Sequence, residues 1–190
     1  MKYSFMTFSC PEATLGEALT MAKRFGYDGI EPRIGSGHKH GIELASDEAG
    51  REAARELAEA SGVALCCVAT SCKYADPATA GEQVAETLQS IDLAADVGSP
   101  RIRVFGGQIP KGRSRSESIA LLVESLKEAS DHALERGVTV CLETHDDWCD
   151  PAHVAEVVAR VHSPAVAVNW DVMHPVRAGG STMDLAFETL

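Results

Sequence analysis

No apolar run in this sequence approaches the ~18 residues that a membrane-spanning helix requires. Basic residues are also few, since 17 lysines and arginines stand against 28 aspartates and glutamates and leave a formal net charge of −11. An acidic chain offers no diffuse positive field to a phosphate backbone or to an anionic membrane surface. We therefore expect its partners to include neither nucleic acid nor a membrane.

The cysteines and the N-terminus lack the patterns of an exported protein. The six cysteines show no CxxC spacing, which favours reduced and mostly buried thiols over a disulfide framework or a zinc knuckle. The short apolar stretch at the N-terminus meets Pro11 and Glu12 too early to be a signal peptide. These absences predict a cytoplasmic protein.

The chain repeats one unit, in which a long amphipathic stretch ends at a glycine and a short β-branched run follows. The glycines at these junctions are Gly26, Gly62, Gly98 and Gly137. Glycine just after a helix and directly before a strand is typical of the connection between the two. Helix starts are marked by capping-box patterns at 14–17 and 114–117 and by an N-cap followed by proline at 150–151.

These marks predict six strands that alternate with helices. The strands are placed near residues 3–9, 29–33, 63–70, 101–105, 138–145 and 165–171. The helices are placed near residues 15–25, 47–61, 80–97, 115–136 and 151–161, with a last short helix near 182–190. Strands that alternate with helices in this way form right-handed βαβ units and a parallel sheet.

The predicted fold class is therefore α/β, of the (β/α) TIM-barrel type, with residues 1–190 in a single domain. A complete barrel takes ~250 residues, so about six of its eight strand–helix units are present. A doubly wound nucleotide-binding fold is the alternative. It has less support because neither Gly106-Gly107 nor Gly35-Ser36-Gly37 reaches the GxGxxG spacing of a dinucleotide site.

Charged side chains gather at the carboxyl ends of the predicted strands, where parallel α/β folds place their catalytic groups. Because side chains alternate along a strand, Glu143 and His145 share the inner face of the fifth strand, and Asp171 ends the inner face of the sixth. Glu31 in the second strand and Arg103 in the fourth also face inward. These last two are equally consistent with structural ion pairs.

Glu143 and Asp171 point most strongly to a function. Two acids that face inward from neighbouring strands would each cost several kcal/mol to bury unless a proton or a cation compensates. We therefore predict that both bind one divalent metal ion, with their carboxylates roughly 4–6 Å apart, as ligand distances of ~2.0–2.2 Å require. Four other histidines are predicted to be surface or loop residues: His38, His132, His153 and His162.

Three motifs together resemble the sugar phosphate isomerase/epimerase family, the xylose isomerase-like TIM barrels. They are Gly26-Tyr27-Asp28-Gly29-Ile30-Glu31, Leu142-Glu143-Thr144-His145 and Asn169-Trp170-Asp171-Val172-Met173-His174-Pro175. The resemblance implies a divalent metal ion, manganese, magnesium, cobalt or zinc, with Glu143 and Asp171 among its ligands. It implies that His174 contacts the substrate in an epimerase, or zinc in a related endonuclease.

The resemblance also assigns residues to the substrate, a small sugar, sugar phosphate or keto-polyol. Glu31, Arg33 and His40 are expected to face it, and Arg103 and His145 share the inward faces that would bind it. The implied reaction is proton abstraction next to a carbonyl, with the metal acting as a Lewis acid that stabilises an enediolate. Glu143 would also serve as general base. A β-hydroxyl leaving group would make the same first step a dehydration, so isomerase, epimerase and dehydratase all remain open.

The family's remaining histidine and second glutamate ligands come from two later strands, which this sequence does not include before Leu190. We expect either a longer enzyme or a barrel completed by another chain, because unpaired edge strands favour association and hence a homo-oligomer. A non-catalytic truncated barrel is a further alternative. An apurinic-site endonuclease is disfavoured, since it needs histidines where this chain has 69–71 and 105–107.

Overall fold

The computed structural model describes residues 1–190 as parallel strands alternating with helices. The strands are β1 Ser4–Met6, β2 Gly29–Glu31, β3 Ala64–Leu65, β4 Val68–Lys73, β5 Arg101–Phe105, β6 Thr139–Glu143 and β7 Val166–Asn169. The helices are α1 Leu15–Phe25, α2 Glu48–Ser61, α3 Ala80–Asp96, α4 Arg115–Arg136, α5 Pro151–Val161, α6 His174–Arg177 and α7 Met183–Thr189. None of the helices has the length and apolar content needed to cross a membrane.

The helix boundaries follow the local signals in the sequence. Thr14 and Glu17 form a complete capping box at the start of α1, and Ser114 and Glu117 bond reciprocally at the start of α4. Asp150 caps α5 ahead of its proline. Gly26 ends α1 in the left-handed region at φ 75°, where only glycine avoids a steric penalty. These predicted boundaries are confirmed because each depends on contacts within one or two turns.

The third predicted strand, near 63–70, is wrong as a single element. The structure divides it into β3 and β4, which pair in different sheets. The break follows from Pro32 in the neighbouring segment, because proline has no N–H to donate to a ladder. Pairing beyond β2 resumes only as an isolated bridge between Arg33 and Ala69. The first predicted strand is also too long, since a 3₁₀ turn occupies Thr7–Ser9.

The first of two compact units comprises Met1–Ser71, Gln89–Ile102 and Arg136–Val138. Its three-stranded sheet has the order β1-β2-β3, with parallel pairing. Leu19 and Ile30 are almost fully buried in its core. Asp96 accepts from Arg51 at 2.8 Å and from Arg136 at 2.5 Å, so one carboxylate joins α2, α3 and the end of α4.

Replacing Asp96 by asparagine is expected to lower the free energy of unfolding at neutral pH by about 1 kcal/mol, a modest figure because the site is partly exposed to solvent. Burial acts to raise the pKa of Asp96, but hydrogen bonds from Arg51 and Arg136 lower it by more. A lowered pKa stabilises the fold above the unfolded-state pKa, and this stabilisation is lost as the pH falls through the folded-state value. Urea titrations over a pH series measure the effect.

The exposed Asp131→Asn serves as the control for Asp96→Asn and should leave the pH profile of stability unchanged. The account of this carboxylate would be contradicted if wild type and Asp96→Asn differed in free energy of unfolding by the same amount from neutral to strongly acidic pH.

The second unit comprises Cys72–Leu88, Arg103–Glu135 and Thr139–Leu190. It contains β6 and β7 and the carboxyl-terminal parts of β4 and β5, from the sheet of order β4-β5-β6-β7. The inward face of α4 is buried as its periodicity predicts, through Ile119, Leu122, Val123, Leu126, Ala129 and Ala133. In the register of β6 with β7, Glu143 lies opposite Asn169, so the ends of these strands are neighbours.

Candidate metal and active site

Five charged or imidazole side chains gather at the carboxyl ends of β5, β6 and β7 in the second unit. Arg103 comes from β5, Glu143 is the last residue of β6, and the others follow β6 and β7: His145, Asp171 and His174. All of them were predicted as site residues from the sequence. The parallel register brings strand ends together, and short turns after β6 and β7 hold the three loop residues nearby.

Arg103 and Glu143 form a buried ion pair. Arg103 Nε lies 3.1 Å from Glu143 Oε2, and the two residues are only 3% and 8% exposed. The Arg103 guanidinium also lies 4.1 Å from the centre of the Phe105 ring, in a cation–π contact. Burial raises the pKa of the Glu143 carboxyl, while the charges of Arg103 and His145 oppose that rise. The result is a carboxylate in a dry setting that retains a cationic neighbour.

Glu143, His145 and His174 form a cluster of metal-ligating groups. Each offers one ligand atom, and these atoms all lie within 4.8 Å of one another. The His145 ring packs edge-on against the His174 ring, with 4.3 Å between ring centres. It also lies 4.8 Å from the Phe105 ring, which covers one side of the cluster. We refer to these three residues as the Glu–His–His cluster.

Asp171 organises the loop that carries His174. Its Oδ1 accepts the backbone N–H groups of Met173 at 2.8 Å and His174 at 3.1 Å. Its Oδ2 lies 3.6 Å from His174 Nδ1. The negative charge of Asp171 also acts to raise the pKa of Glu143, so the two carboxylates interact electrostatically. Asp171 therefore borders the Glu–His–His cluster and orients one of its imidazoles.

Thr144 ties the two strand ends together and was not identified from the sequence. Its fully buried side chain accepts from Asp171 N–H at 2.9 Å and donates to the Asp171 carbonyl at 3.2 Å. No local signal in the sequence shows a bond between residues so far apart along the chain. Thr144 fixes the position of Asp171 relative to Glu143.

Replacing Thr144 by valine is expected to lower the free energy of unfolding by about 1–2 kcal/mol, because the Asp171 backbone loses both partners while side-chain volume is kept. Urea unfolding followed by circular dichroism measures the loss. Thr139→Val, on the same strand, is the matched control and should change stability little. Equal stability of the two variants would show that the Thr144 hydroxyl contributes nothing to the loop.

The donor set of the Glu–His–His cluster fits a divalent transition metal. Tetrahedral ligands at ~2.0–2.2 Å from one ion are roughly 3.3–3.6 Å apart, so ligand atoms that lie within 4.8 Å of one another need to close by about 1 Å to share an ion. Imidazole nitrogen with carboxylate oxygen suits zinc, manganese or iron. In both histidines Nδ1 is buried and makes no hydrogen bond, although each contacts an aspartate. Buried polar atoms of this kind commonly mark the place of a ligand.

Trp148 lies next to the cluster in the turn after β6, and it is a second residue that sequence reasoning missed. Its indole is fully buried, and Nε1 donates to the Gly107 carbonyl at 2.8 Å. Its backbone N–H donates to the His145 carbonyl at 2.8 Å. The segment Asp146–Trp148 is a 3₁₀ turn. Trp148 thus connects the turn after β6 to the turn after β5.

The other predicted substrate residues, Glu31, Arg33 and His40, lie in the first unit. The Arg33 guanidinium donates to the carbonyls of Ile34 and Ala69. His40 Nδ1 accepts from Ile42 N–H at 3.1 Å, so Nε2 is the protonated nitrogen and donates to the Arg33 carbonyl at 3.0 Å. Burial lowers the pKa of His40. The side chains of Arg33 and His40 are therefore both hydrogen-bonded to backbone carbonyls.

His38, predicted to be a surface or loop residue, lies in a loop but is buried there. His38 is only 9% exposed, and its Nδ1 lies 3.0 Å from the Thr7 hydroxyl. The contact joins residues that are far apart in sequence, which explains why the loop composition around His38 gave no sign of burial.

Comparisons with known proteins agree with this architecture. The sequence profile of the xylose isomerase-like TIM barrel family matches residues 19–189. No curated protein matches the sequence. Among solved structures, a D-psicose 3-epimerase determined in the presence of D-fructose is 19% identical, with a TM-score of 0.81, and the match covers all of this chain and 70% of that one.

Two further solved structures show the same fold. The probable 3-DHS dehydratase AsbF, involved in petrobactin synthesis in Bacillus anthracis, is 20% identical with a TM-score of 0.80, over all of this chain and 69% of that one. The IolI protein with a binding zinc atom is 19% identical with a TM-score of 0.78, over 97% of this chain and 67% of that one. These similarities confirm the predicted α/β fold of TIM-barrel type.

Proposed function

The chain belongs to the xylose isomerase-like TIM barrel family, and from this premise we propose that it is a metal-dependent isomerase or epimerase of a small sugar or keto-polyol. The observation that carries the proposal is the Glu–His–His cluster, which places a buried carboxylate and two imidazoles at the carboxyl ends of β6 and β7. This edge of a parallel α/β fold is where substrates bind. Epimerases are among the solved structures with this fold.

The proposed cation ligands include both acids. Glu143 and Asp171 supply two negative charges, which match the charge of a divalent ion, and His145 supplies a neutral nitrogen donor. The ligand atom of His174 lies within 4.8 Å of those of Glu143 and His145, and His174 is proposed to contact a substrate oxygen beside the ion. When bound, the ion polarises a substrate carbonyl and stabilises negative charge on its oxygen.

Glu143 is proposed as the general base that removes the proton next to the carbonyl. Burial raises the pKa of its carboxyl, and a carboxylate with a raised pKa is a stronger proton acceptor once ionised. The ion pair with Arg103 keeps an ionised Glu143 compatible with its buried position. Arg103 is further proposed to offset negative charge that develops on the substrate.

Glu31, Arg33 and His40 remain proposed substrate-facing residues. Arg33 and His40 are both hydrogen-bonded to backbone carbonyls. They would therefore influence substrate binding by fixing the loop that faces the substrate. A second acid group would return the proton, on the opposite face for epimerisation or to the adjacent carbon for isomerisation. Loss of a β-hydroxyl after the same proton abstraction would give a dehydration instead.

Deuterium exchange tests the proposed function. The protein is incubated with manganese and a series of ketoses and aldoses in D₂O, and the sugars are analysed by NMR and mass spectrometry. We expect deuterium at the carbon next to the carbonyl of at least one sugar, and the accompanying product identifies the class: an epimer, a shifted carbonyl, or loss of water. A folded protein that binds manganese and exchanges no sugar proton would contradict the proposal.

A further inference from the structure

His38 lies where the loops that follow β1 and β2 meet, at the carboxyl ends of these strands in the first unit. Thr7 directly follows β1, and its hydroxyl lies 3.0 Å from His38 Nδ1. The next residue, Lys39, donates its backbone N–H to the Pro11 carbonyl at 2.9 Å, which ties the same two loops together. The carboxyl ends of the strands are where parallel α/β barrels bind their substrates. The proposed function gives His38 no role.

The His38 ring is fixed by two other rings. It makes T-shaped contacts with Phe8, with 5.2 Å between ring centres, and with His40, with 5.7 Å. His40 is itself fixed, because both of its ring nitrogens are bonded to backbone groups of the loop. His38 is only 9% exposed, whereas Phe8 is 59% exposed. His38 is therefore held in one orientation beside an aromatic ring that faces solvent.

The hydrogen bonds of Thr7 determine which nitrogen of His38 carries the proton. Thr7 is only 1% exposed, and its oxygen accepts the backbone N–H of Arg33 at 2.9 Å. A buried hydroxyl also needs an acceptor for its own proton, and the structure offers His38 Nδ1. Nδ1 of the neutral ring is then the acceptor, so the proton lies on Nε2.

The Nε2–H group is the remaining polar group of the His38 ring. It makes no hydrogen bond within the chain, and it is not among the enclosed polar atoms that lack a partner, so it reaches solvent. A ring that is already fixed and leaves one donor open suits ligand recognition, because little freedom is lost on binding. The donor is uncharged and the Phe8 ring beside it is apolar. This pair fits a neutral polyol, which offers oxygen atoms to the donor and C–H groups to the ring.

We propose that His38 is a substrate-binding residue, which donates from Nε2–H to a hydroxyl or carbonyl oxygen of the sugar or keto-polyol while carbon atoms of the ligand pack on Phe8. The inference rests on the proposed function for the class of ligand. It adds a residue that binds the substrate and takes no part in proton transfer. Thr7 is a positioning residue in this account, because its hydroxyl keeps the proton of His38 on Nε2.

NMR of protein that contains ¹⁵N-labelled histidine tests the position of this proton without turnover. Long-range ¹H–¹⁵N spectra at neutral pH are expected to show the Nε2–H form of His38 in the wild type and in Thr7→Ser. Thr7→Val has no hydroxyl to donate to Nδ1 and is expected to show a mixture of the two neutral forms. A proton on Nδ1 in the wild type would overturn the proposal, and an unchanged spectrum of Thr7→Val would overturn the role of Thr7.

Titration with sugars in the same spectra tests the contact with a ligand. The probes are D-fructose, D-psicose, D-tagatose and D-sorbose, each added in the presence of magnesium, which is diamagnetic. At least one of them is expected to shift the Nε2 signal of His38 saturably and to leave the signals of the exposed His162 unchanged. No saturable shift with any of the four ketohexoses would overturn the proposal.

Two amide variants separate binding from structure. His38→Asn places its oxygen near the position of Nδ1, so it keeps the bond to Thr7 but has no donor at Nε2. We expect it to unfold in urea as the wild type does and to bind the ketohexose about three- to tenfold more weakly, as loss of one uncharged hydrogen bond implies. His38→Gln carries its N–H donors near the position of Nε2, so it should bind more tightly than His38→Asn although its stability falls. The reverse order of affinities would show a merely structural role and overturn the proposal.

His162→Asn is the matched control, because His162 is exposed and adopts φ 54°, a conformation that asparagine tolerates. It should bind and unfold as the wild type does. Saturable binding that depends on His38, in a protein that exchanges no sugar proton, would support this site and contradict the proposed function. Sugar-proton exchange with a KM that is unchanged in His38→Asn would do the reverse.

Discussion

Glu143→Gln is expected to lower the rate of sugar-proton exchange by about 10³-fold or more, because the substitution removes the proposed general base and weakens the proposed cation site together. The glutamine side chain keeps the shape of Glu143 and can still accept one bond from Arg103, but it carries no charge to match the buried guanidinium 3.1 Å away. The rate of deuterium incorporation from D₂O, at saturating manganese, is the measurement.

Glu128→Gln is the matched control for Glu143→Gln. Glu128 is exposed on α4, so its substitution should leave the exchange rate unchanged. Circular dichroism and the unfolding midpoint show whether the Glu143 variant is folded, since loss of the partner of buried Arg103 will lower its stability. A folded Glu143→Gln protein with the exchange rate of the wild type would rule out Glu143 as the base.

Gly106→Ala is expected to give the largest loss of stability, about 3 kcal/mol or more, because overpacking in a dense core forces neighbours out of position. A Cβ at Gly106 would lie 2.2 Å from Trp148 Cδ1 and 2.4 Å from Cγ, far inside van der Waals contact. The indole is fully buried, so a shift of the ring must displace packed neighbours. Urea unfolding compared with the wild type gives the change in free energy.

Gly81→Ala provides the control for Gly106→Ala. Gly81 lies in the first turn of α3 with no atom within 4 Å of an added Cβ, so alanine should raise stability by roughly 0.5–1 kcal/mol. Because Trp148 also bonds to the Gly107 carbonyl and the His145 carbonyl, its displacement should weaken metal binding as well. A Gly106→Ala protein as stable as the wild type would mean that the indole moves at little cost.

The parts of the fold that sequence reasoning predicted correctly are those set by neighbouring residues. The capping box of Thr14 and Glu17 and the glycine after α1 specify a helix boundary through contacts a few residues apart. The alternation along β6 also predicts an inward-facing Glu143, and the structure buries this side chain. The division of the third strand was missed, although Pro32 interrupts pairing in the adjacent segment. The missing N–H of Pro32 affects the strand beside it, and a pattern of residues along one strand does not show what lies in its neighbour.

The parts that were missed depend on contacts between distant segments. Thr144 was not singled out from the sequence, yet the register of β6 with β7 brings its hydroxyl to the Asp171 backbone. The proximity of His145 and His174 follows from the shapes of two turns after separate strands. The sequence predicted Glu143 and Asp171 as the ligand pair from strand ends alone. It assigned His145 and His174 to the substrate, and the structure brings their ligand atoms to within 4.8 Å of the Glu143 carboxylate, because turns determine where the imidazoles point.

Manganese titration by calorimetry tests the central claim most directly, that the site around Glu143 holds a divalent cation. The account predicts that the folded wild-type protein binds one manganese ion per chain and that Glu143→Gln binds it far more weakly. His145→Ala, which removes a proposed nitrogen ligand, should also weaken binding, and the exposed variant Glu128→Gln should not. No heat of binding from a well-folded wild-type sample, or equal binding by the wild type and Glu143→Gln, would contradict it.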